Sequence, residues 1–207
     1  MWYAALITVL TAYLLGNLNG AVCISALMHD DVRSHGSGNA GLTNFIRNYG
    51  ASKSLMVILV DAGKAVVATL AGGLMLEPYG CGLEGAVLAG AAVMVGHDFP
   101  ALLGFKGGKG ILSGWFVAWV VDWRIGLLIG VVFFSVYLLT QYVSLGSVLA
   151  AISFALGFAI FHHDNLFVMA AGAFAGLLTV FMHRGNIARL LKGQERKTNL
   201  FPKGSKQ

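Results

Sequence analysis

Long apolar stretches recur along the whole chain, and they limit its possible folds more than any other feature. Seven of them carry few charges: residues 2–28, 55–76, 85–103, Ile111–Val121, 125–139, Val143–Phe161 and Leu166–Met182. A helix needs about 20 apolar residues to cross a bilayer. Only 11% of the residues are charged, against about 25% in soluble proteins. The sequence therefore predicts an all-α integral membrane protein with about seven transmembrane helices.

The stretch Ile111–Val121 is the weakest of the seven. A helix of that length covers roughly half of a hydrocarbon core about 30 Å thick. It could extend back through the preceding glycines, tilt, or begin inside the protein. Six spans therefore remain an alternative to seven.

The basic residues are divided unevenly between the two sides of the predicted membrane. One side has Arg124 alone, and Lys64 lies within the second stretch. The other side receives the remaining twelve of the 14 Lys and Arg residues: Arg33, Arg47, Lys53, Lys106, Lys109, Arg184, Arg189, Lys192, Arg196, Lys197, Lys203 and Lys206. Because Lys and Arg favour cytoplasmic loops, we predict an outside N-terminus and a cytoplasmic C-terminus. The net charge of +5 follows from this topology and does not indicate a nucleic acid partner.

The predicted cytoplasmic loops at 29–54, 96–110 and 140–147 are rich in residues that hold anions. The first contains GSGNAGLTNFIR at 36–47. Its glycine spacing matches a dinucleotide-binding fingerprint, but that fingerprint requires a preceding strand. Glycines still let backbone N–H groups approach an anion, and Arg47 can hold a phosphate with two parallel bonds. A turn that caps an interfacial helix is the alternative.

The second loop reads GHDFP at 96–100 and GFKGGKG at 104–110. It is not a Walker A loop, because Lys109 would need Gly at 103 and Ser or Thr at 110, where Leu103 and Gly110 stand. This excludes a P-loop ATPase. Two lysines on a backbone with few side chains suit phosphate binding. The alternative is a flexible turn whose lysines reach the interface.

The segment HRGNIARLLKGQERK at 183–197 follows the last apolar stretch. Its His183 and Asn186 are three residues apart, so they share one face of a helix. The basic residues beyond them suit anionic lipid headgroups: Lys192, Arg196, Lys203 and Lys206. We therefore divide the chain into one membrane domain, residues 1–190, and a basic cytoplasmic tail, residues 191–207.

Two further features leave their roles open. Asp61 and Lys64 lie within the second stretch at a spacing that allows them to pair. Charges at bilayer depth are costly, so the two form either a structural ion pair or part of a site. Ser144 and Ser147, in YVSLGS at 142–147, either cap a helix or contact a ligand.

Taken together, these segments resemble the bacterial membrane acyl-phosphate:glycerol-3-phosphate acyltransferases. The resemblance rests on GSGNAGLTNFIR at 36–47, DAGKA at 61–65, GHDFPALLGFKGGKG at 96–110, YVSLGS at 142–147 and HRGNIARLLKGQERK at 183–197. These occur in the family's order. The family usually has Pro where Ala40 stands, Ala where Leu42 stands and Thr where Gln194 stands.

The resemblance implies transfer of a fatty acyl group from acyl phosphate to the 1-hydroxyl of glycerol 3-phosphate, giving lysophosphatidic acid and phosphate. It implies a cytoplasmic-face site in a bacterial inner membrane and a functional link to a soluble enzyme that makes acyl phosphate. The implied catalytic residues are Ser37, Arg47, Lys109, His183 and Asn186. The implied substrate-binding residues are Gly36, Gly38, Asn39, Asn44, His97, Lys106, Gly107, Gly108, Gly110, Ser144, Ser147 and Glu195.

The residues themselves agree with this chemistry. Two phosphorylated substrates explain several anion-holding loops at one face, and an acyl chain explains a site in a bilayer. The H-x-x-x-x-D motif of another acyltransferase class is absent. The donor is a mixed anhydride with a good leaving group, so positioning and charge stabilisation suffice, and no cofactor or metal is expected. Either His183 or a substrate phosphate oxygen accepts the hydroxyl proton. A transporter of phosphate or an organophosphate is the alternative, although no internal repeat is evident.

Overall fold

The computed structural model describes residues 1–198 and residue 200. Lys203 and Lys206 of the predicted tail lie outside them. The described residues form helices and no strand, which confirms the all-α class. The α-helices are α1 (Trp2–Gly16), α2 (Gly20–Leu27), α3 (Leu42–Tyr49), α4 (Ala51–Leu76), α5 (Gly82–Asp98), α6 (Ile111–Val121), α7 (Trp123–Thr140), α8 (Val143–Phe161), α9 (Leu166–Met182) and α10 (Arg184–Leu191).

Several of these helices have the length and hydropathy of membrane spans. Within the described residues there are five such segments: Trp2–Leu27, Ala51–Tyr79, Gly82–Leu103, Trp123–Thr140 and Val143–Phe161. A sixth candidate is the pair α9 and α10, which is bent by 53° at its break. Helix α6 is apolar but has only 11 residues. The architecture is therefore that of an integral membrane protein with five to six candidate spans.

Small side chains fill much of the interior, while many large apolar side chains point outward. The buried set includes Ala12, Ala65, Ala89 and Ala150, and the exposed set includes Leu10, Leu59, Leu74 and Leu156. Helices α1 and α5 come so close at Gly16 and Gly96 that a Cβ on Gly96 would overlap the carbonyl oxygen of Tyr13. Small residues at helix contacts and large apolar residues facing outward are typical of helices packed in lipid.

The first predicted span, 2–28, is interrupted at residues 17–19. The side chain of Asn17 donates to the Tyr13 carbonyl (2.7 Å) and accepts the N–H of Leu102 (3.0 Å). The side chain of Asn19 then accepts the N–H of Val22 (3.1 Å) and caps α2. A break in a membrane helix leaves backbone groups that must find partners inside the protein. Here the side chains of Asp61 and Lys64 on α4 bond to the backbone of Gly16, Leu18 and Gly20.

The predicted anion-holding loops meet at one end of the helical bundle. Helix α3 packs on α4, α10 packs on α8 and α9, and α6 packs on α4, α5 and α7. This arrangement brings the loop before α3, the loop before α6, the start of α8 and the bend between α9 and α10 to a common region.

Candidate functional site

A cavity of about 520 Å³ lies where these loops meet. Twelve predicted site residues line it: Ser37, Asn39, Asn44, Arg47, His97, Lys109, Gly110, Ser144, Ser147, His183, Asn186 and Glu195. The other five are outside its lining: Gly36, Gly38, Lys106, Gly107 and Gly108. The Lys106 side chain is exposed, so the two lysines of the second loop differ sharply in environment.

The first loop is organised by the buried side chain of Asn44. Its amide nitrogen donates to the carbonyls of Val32 (3.0 Å), His35 (3.1 Å) and Asn39 (3.1 Å). Its carbonyl oxygen accepts the N–H of Ser37 (3.0 Å). Hydrogen bonds within the loop therefore occupy Asn44, and they fix the turn that presents Ser37 to the cavity.

A chain of hydrogen bonds joins the second loop to the segment after α9. The amine of Lys109 donates to the side-chain oxygen of Asn186. The amide nitrogen of Asn186 donates to Glu195 (2.9 Å), which also accepts from Arg189 (2.7 Å). Burial lowers the pKa of Lys109 to about 8, and the charges of Arg189 and Arg47 add to this, while Glu195 opposes it. Desolvated cations in a cavity favour an anionic ligand.

His183 lies at the bend between α9 and α10 and is buried. Its Nδ1 is 2.8 Å from the carbonyl oxygen of Thr179. Because that oxygen can only accept, Nδ1 carries a proton. In the neutral ring, Nε2 is then an acceptor, and His183 lines the cavity. The geometry provides a site for a hydroxyl proton.

Arg47 is held by the segment that follows α10. Its Nε donates to the hydroxyl of Thr198 (2.8 Å), and its Nη2 donates to the carbonyl of Arg196 (3.2 Å). The N–H of Thr198 in turn donates to the carbonyl of Gln141 (3.1 Å). Burial lowers the pKa of Arg47, and Arg196 and Arg189 add to this, while Glu195 opposes it. No motif in the sequence marked Thr198. Its side chain is buried, although it lies after residue 190, where the predicted membrane domain ends.

The glycines of the second loop pack directly against His97. The N–H of Gly108 donates to the carbonyl of His97 (3.0 Å), and a Cβ on Gly108 would overlap the imidazole ring. The side chain of Asn39 donates to the carbonyl of Gly107 (3.4 Å). Gly107 and Gly108 therefore shape the backbone next to Lys109, although neither lines the cavity.

The remainder of the cavity wall is apolar. It is formed by side chains of α3, α4, α6 and α7, among them Leu42, Ile46, Leu55, Ile58, Trp115, Phe116, Ile129, Phe133 and Phe134. Leu42 and Ile46 belong to the first motif. The sequence did not single out the residues of α4, α6 and α7, because each looks like an ordinary residue of a membrane helix. A polar end with cations and an apolar wall suit a ligand with an anionic head and a hydrocarbon chain. Among the described residues, no three His, Cys, Asp or Glu side chains lie together as a metal site would need.

Comparisons with known proteins agree along nearly the whole length. A family model for glycerol-3-phosphate acyltransferase matches residues 6–193. The glycerol-3-phosphate acyltransferase of Thermoanaerobacter sp. (strain X514) is 39% identical over 194 residues, which cover 93% of this chain and 95% of the relative. That of Finegoldia magna is 35% identical over 189 residues, covering 91% and 93%.

Solved structures give the same result. The crystal structure of PlsY (YgiH), an integral membrane glycerol 3-phosphate acyltransferase, in its glycerol 3-phosphate form matches with a TM-score of 0.84 and 33% identity, over 94% of this chain and 96% of PlsY. Its lysophosphatidic acid form matches with a TM-score of 0.82 and 32% identity, over 95% and 96%. The sequence, the helical architecture and these matches together show that the chain is an integral membrane protein of the glycerol-3-phosphate acyltransferase family.

Proposed function

We propose that this protein transfers a fatty acyl group from acyl phosphate to the 1-hydroxyl of glycerol 3-phosphate, producing lysophosphatidic acid and inorganic phosphate. The observation that carries the proposal is the cavity, whose lining combines an apolar wall with three cationic side chains and two imidazoles: Arg47, Lys109, Arg189, His97 and His183. Each substrate has a phosphate for the cations, and the donor has a hydrocarbon chain for the wall. Family membership and the PlsY structures support the same reaction.

Five side chains divide the work in this reaction. Lys109 and Arg47 bind phosphate oxygens, with Asn186 orienting the Lys109 amine. Ser37 donates a further hydrogen bond from the first loop. Nε2 of His183 accepts the proton of the attacking hydroxyl as its oxygen bonds to the acyl carbon and the phosphate departs. Preorganised donors around the developing charge are typically the largest contribution to such catalysis.

A second group besides His183 could accept the hydroxyl proton in the same reaction. A phosphate oxygen of the donor can take the hydroxyl proton without help from the protein. The variant His183→Ala separates the two, because loss of a positioned general base typically costs about 10²–10⁴ in rate. A loss below about tenfold in kcat assigns the proton to the substrate.

The protein acts from the cytoplasmic side of a bacterial inner membrane in this proposal. The support is the excess of Lys and Arg on the side that carries the loops 29–54, 96–110 and 140–147. This topology has seven membrane crossings, of which the short helix α6 forms the fourth. The N-terminus lies outside, and the tail at 191–207 is cytoplasmic. Membrane lipids surround the domain formed by residues 1–190, and a soluble enzyme supplies the acyl phosphate.

Purified protein supplied with palmitoyl phosphate and glycerol 3-phosphate tests the proposal. We expect lysophosphatidic acid and phosphate to appear in equal amounts, and both to depend on glycerol 3-phosphate. A transporter of phosphate or an organophosphate would form neither product. Absence of product from protein that retains its helical content and thermal transition would refute the proposal.

A further inference from the structure

Three ionisable side chains form a buried cluster between α1, α4 and α5. Asp61, Lys64 and His97 are each at most 5% exposed. The amine of Lys64 is 2.9 Å from Oδ1 of Asp61 and 2.8 Å from Nδ1 of His97. Oδ1 of Asp61 is 3.5 Å from the same nitrogen of His97. Isolated charges at this depth would be very costly, so their persistence needs a reason.

One part of the reason is the break in the first span. Lys64 donates to the carbonyls of Gly16 (3.0 Å) and Leu18 (2.5 Å), which the end of α1 leaves free. Asp61 accepts the N–H of Gly20 (3.0 Å) at the start of α2. The pair therefore supplies both a donor and an acceptor to the interrupted helix. This contribution alone would be structural.

The other part of the reason is that the buried cluster is linked to the two loops that line the cavity. From the break, the side chain of Asn19 donates to the carbonyl of Ala40 (2.9 Å) in the first loop. Lys64 contacts His97, and His97 contacts the second loop. Gly108 lies against the imidazole ring of His97, and its N–H donates to the His97 carbonyl. Lys109 is the next residue. The cluster therefore lies at the junction of both loops that line the cavity.

The contact between Lys64 and His97 also fixes which imidazole nitrogen carries the proton. An ammonium group has three donors and no acceptor. Four acceptors surround these three donors, namely the carbonyls of Gly16 and Leu18, Oδ1 of Asp61 and Nδ1 of His97, so one hydrogen is shared. Because the amine 2.8 Å from Nδ1 of His97 has no acceptor to offer, Nδ1 is the acceptor in this contact, and the proton of the neutral ring lies on Nε2. Nε2 faces Gly108, on the side of the loop that carries Lys109. His97 itself lines the cavity.

We propose that Asp61 and Lys64 are positioning residues of this enzyme. They hold His97 in the tautomer with its proton on Nε2, and through it they set the position of the loop 107–110 relative to the loop 36–47. The kinetic part of this proposal rests on the proposed function, whereas the tautomer part does not.

Nitrogen-15 NMR of histidine-labelled protein in micelles tests the tautomer directly, with His97→Gln used to assign the His97 signals. We expect wild-type His97 to carry its proton on Nε2, and Lys64→Leu to show a mixture of tautomers. Lys64→Gln retains a donor for Nδ1 and covers the case in which Lys64→Leu does not fold. A wild-type signal for Nδ1–H, a mixture of tautomers in Lys64→Gln, or the unchanged wild-type tautomer in folded Lys64→Leu would overturn the proposal, whether or not the protein makes lysophosphatidic acid.

Kinetics with palmitoyl phosphate and glycerol 3-phosphate test the positioning. A shift of about 1 Å in a reacting group can cost about 10²-fold in rate, so we expect Lys64→Leu to lower kcat/KM by about that factor and Lys64→Gln by clearly less. For His97, the glutamine amide reaches the position of Nε2, and the asparagine amide that of Nδ1. His97→Gln should therefore keep more activity than His97→Asn. The reverse order contradicts the proposal.

The chain offers a matched control at the other end of α6. Asp122 is also buried and contacts a cation and an imidazole, Arg124 (2.6 Å) and His162 (3.1 Å), away from the cavity. Asp122→Asn should lower the thermal transition but leave kcat/KM of the folded protein within about twofold. If Lys64→Leu and Lys64→Gln behave in this same way, the pair is structural and the positioning role is refuted.

Discussion

Replacing Lys109 by alanine removes a partly buried amine that contacts Asn186 and lines the cavity. Two unit charges about 4 Å apart at an effective dielectric constant of about 20 interact by about 4 kcal/mol. That energy corresponds to about 10³ in rate, and loss of one donor to a developing anion typically costs about 10²–10³. We therefore expect Lys109→Ala to lower kcat/KM for glycerol 3-phosphate by about 10²–10³.

Lys106 provides the comparison, since it belongs to the same loop but is exposed and lies outside the cavity lining. Its charge acts on a ligand through water and salt, which screen it strongly. We expect Lys106→Ala to lower kcat/KM by about fivefold at most. The assay is the initial rate of phosphate release from palmitoyl phosphate in vesicles, at matched amounts of folded protein. Similar losses in the two variants, or a loss below about tenfold for Lys109→Ala, would refute the assignment of Lys109.

Four further predictions concern the same site and its orientation. Because the pKa of Lys109 is lowered to about 8, its charge is present below that pH, and kcat/KM of the free enzyme should fall as pH rises through about 8. Lys109→Arg should move that fall to higher pH, and an unchanged profile would contradict the assignment. Arg47→Lys should lower kcat/KM at least about tenfold, because the point charge of an ammonium cannot reproduce the two parallel hydrogen bonds of a guanidinium. A variant with wild-type kcat/KM would contradict the assignment of Arg47 to phosphate binding. Palmitoyl-CoA should not replace palmitoyl phosphate as donor, and comparable turnover would contradict a site built for a small phosphate. In intact cells, in a background without native cysteines, an impermeant thiol reagent should label Asp164→Cys and not Ser52→Cys, and the opposite pattern would reverse the topology.

Some of the site could be predicted because short motifs carry its chemistry. Lys109, Asn186 and Arg47 stand in segments whose composition differs from that of the apolar helices around them. The apolar wall had no such signal, because Trp115 and Phe133 differ from lipid-facing residues only by orientation. Thr198 had none either, because its contact with Arg47 joins residues 151 positions apart.

The sequence by itself determined the membrane environment and the helical class, because local composition and stretch length decide whether a segment can leave water. It also predicted which loops contribute polar side chains to the cavity. Only the tertiary structure decided how these parts meet. It showed that the first span is broken at residues 17–19 and that Asp61 and Lys64 supply partners to the break. It also separated Lys109 from Lys106, identical residues in one loop, because burial depends on helices that are distant in the chain and local sequence does not encode it.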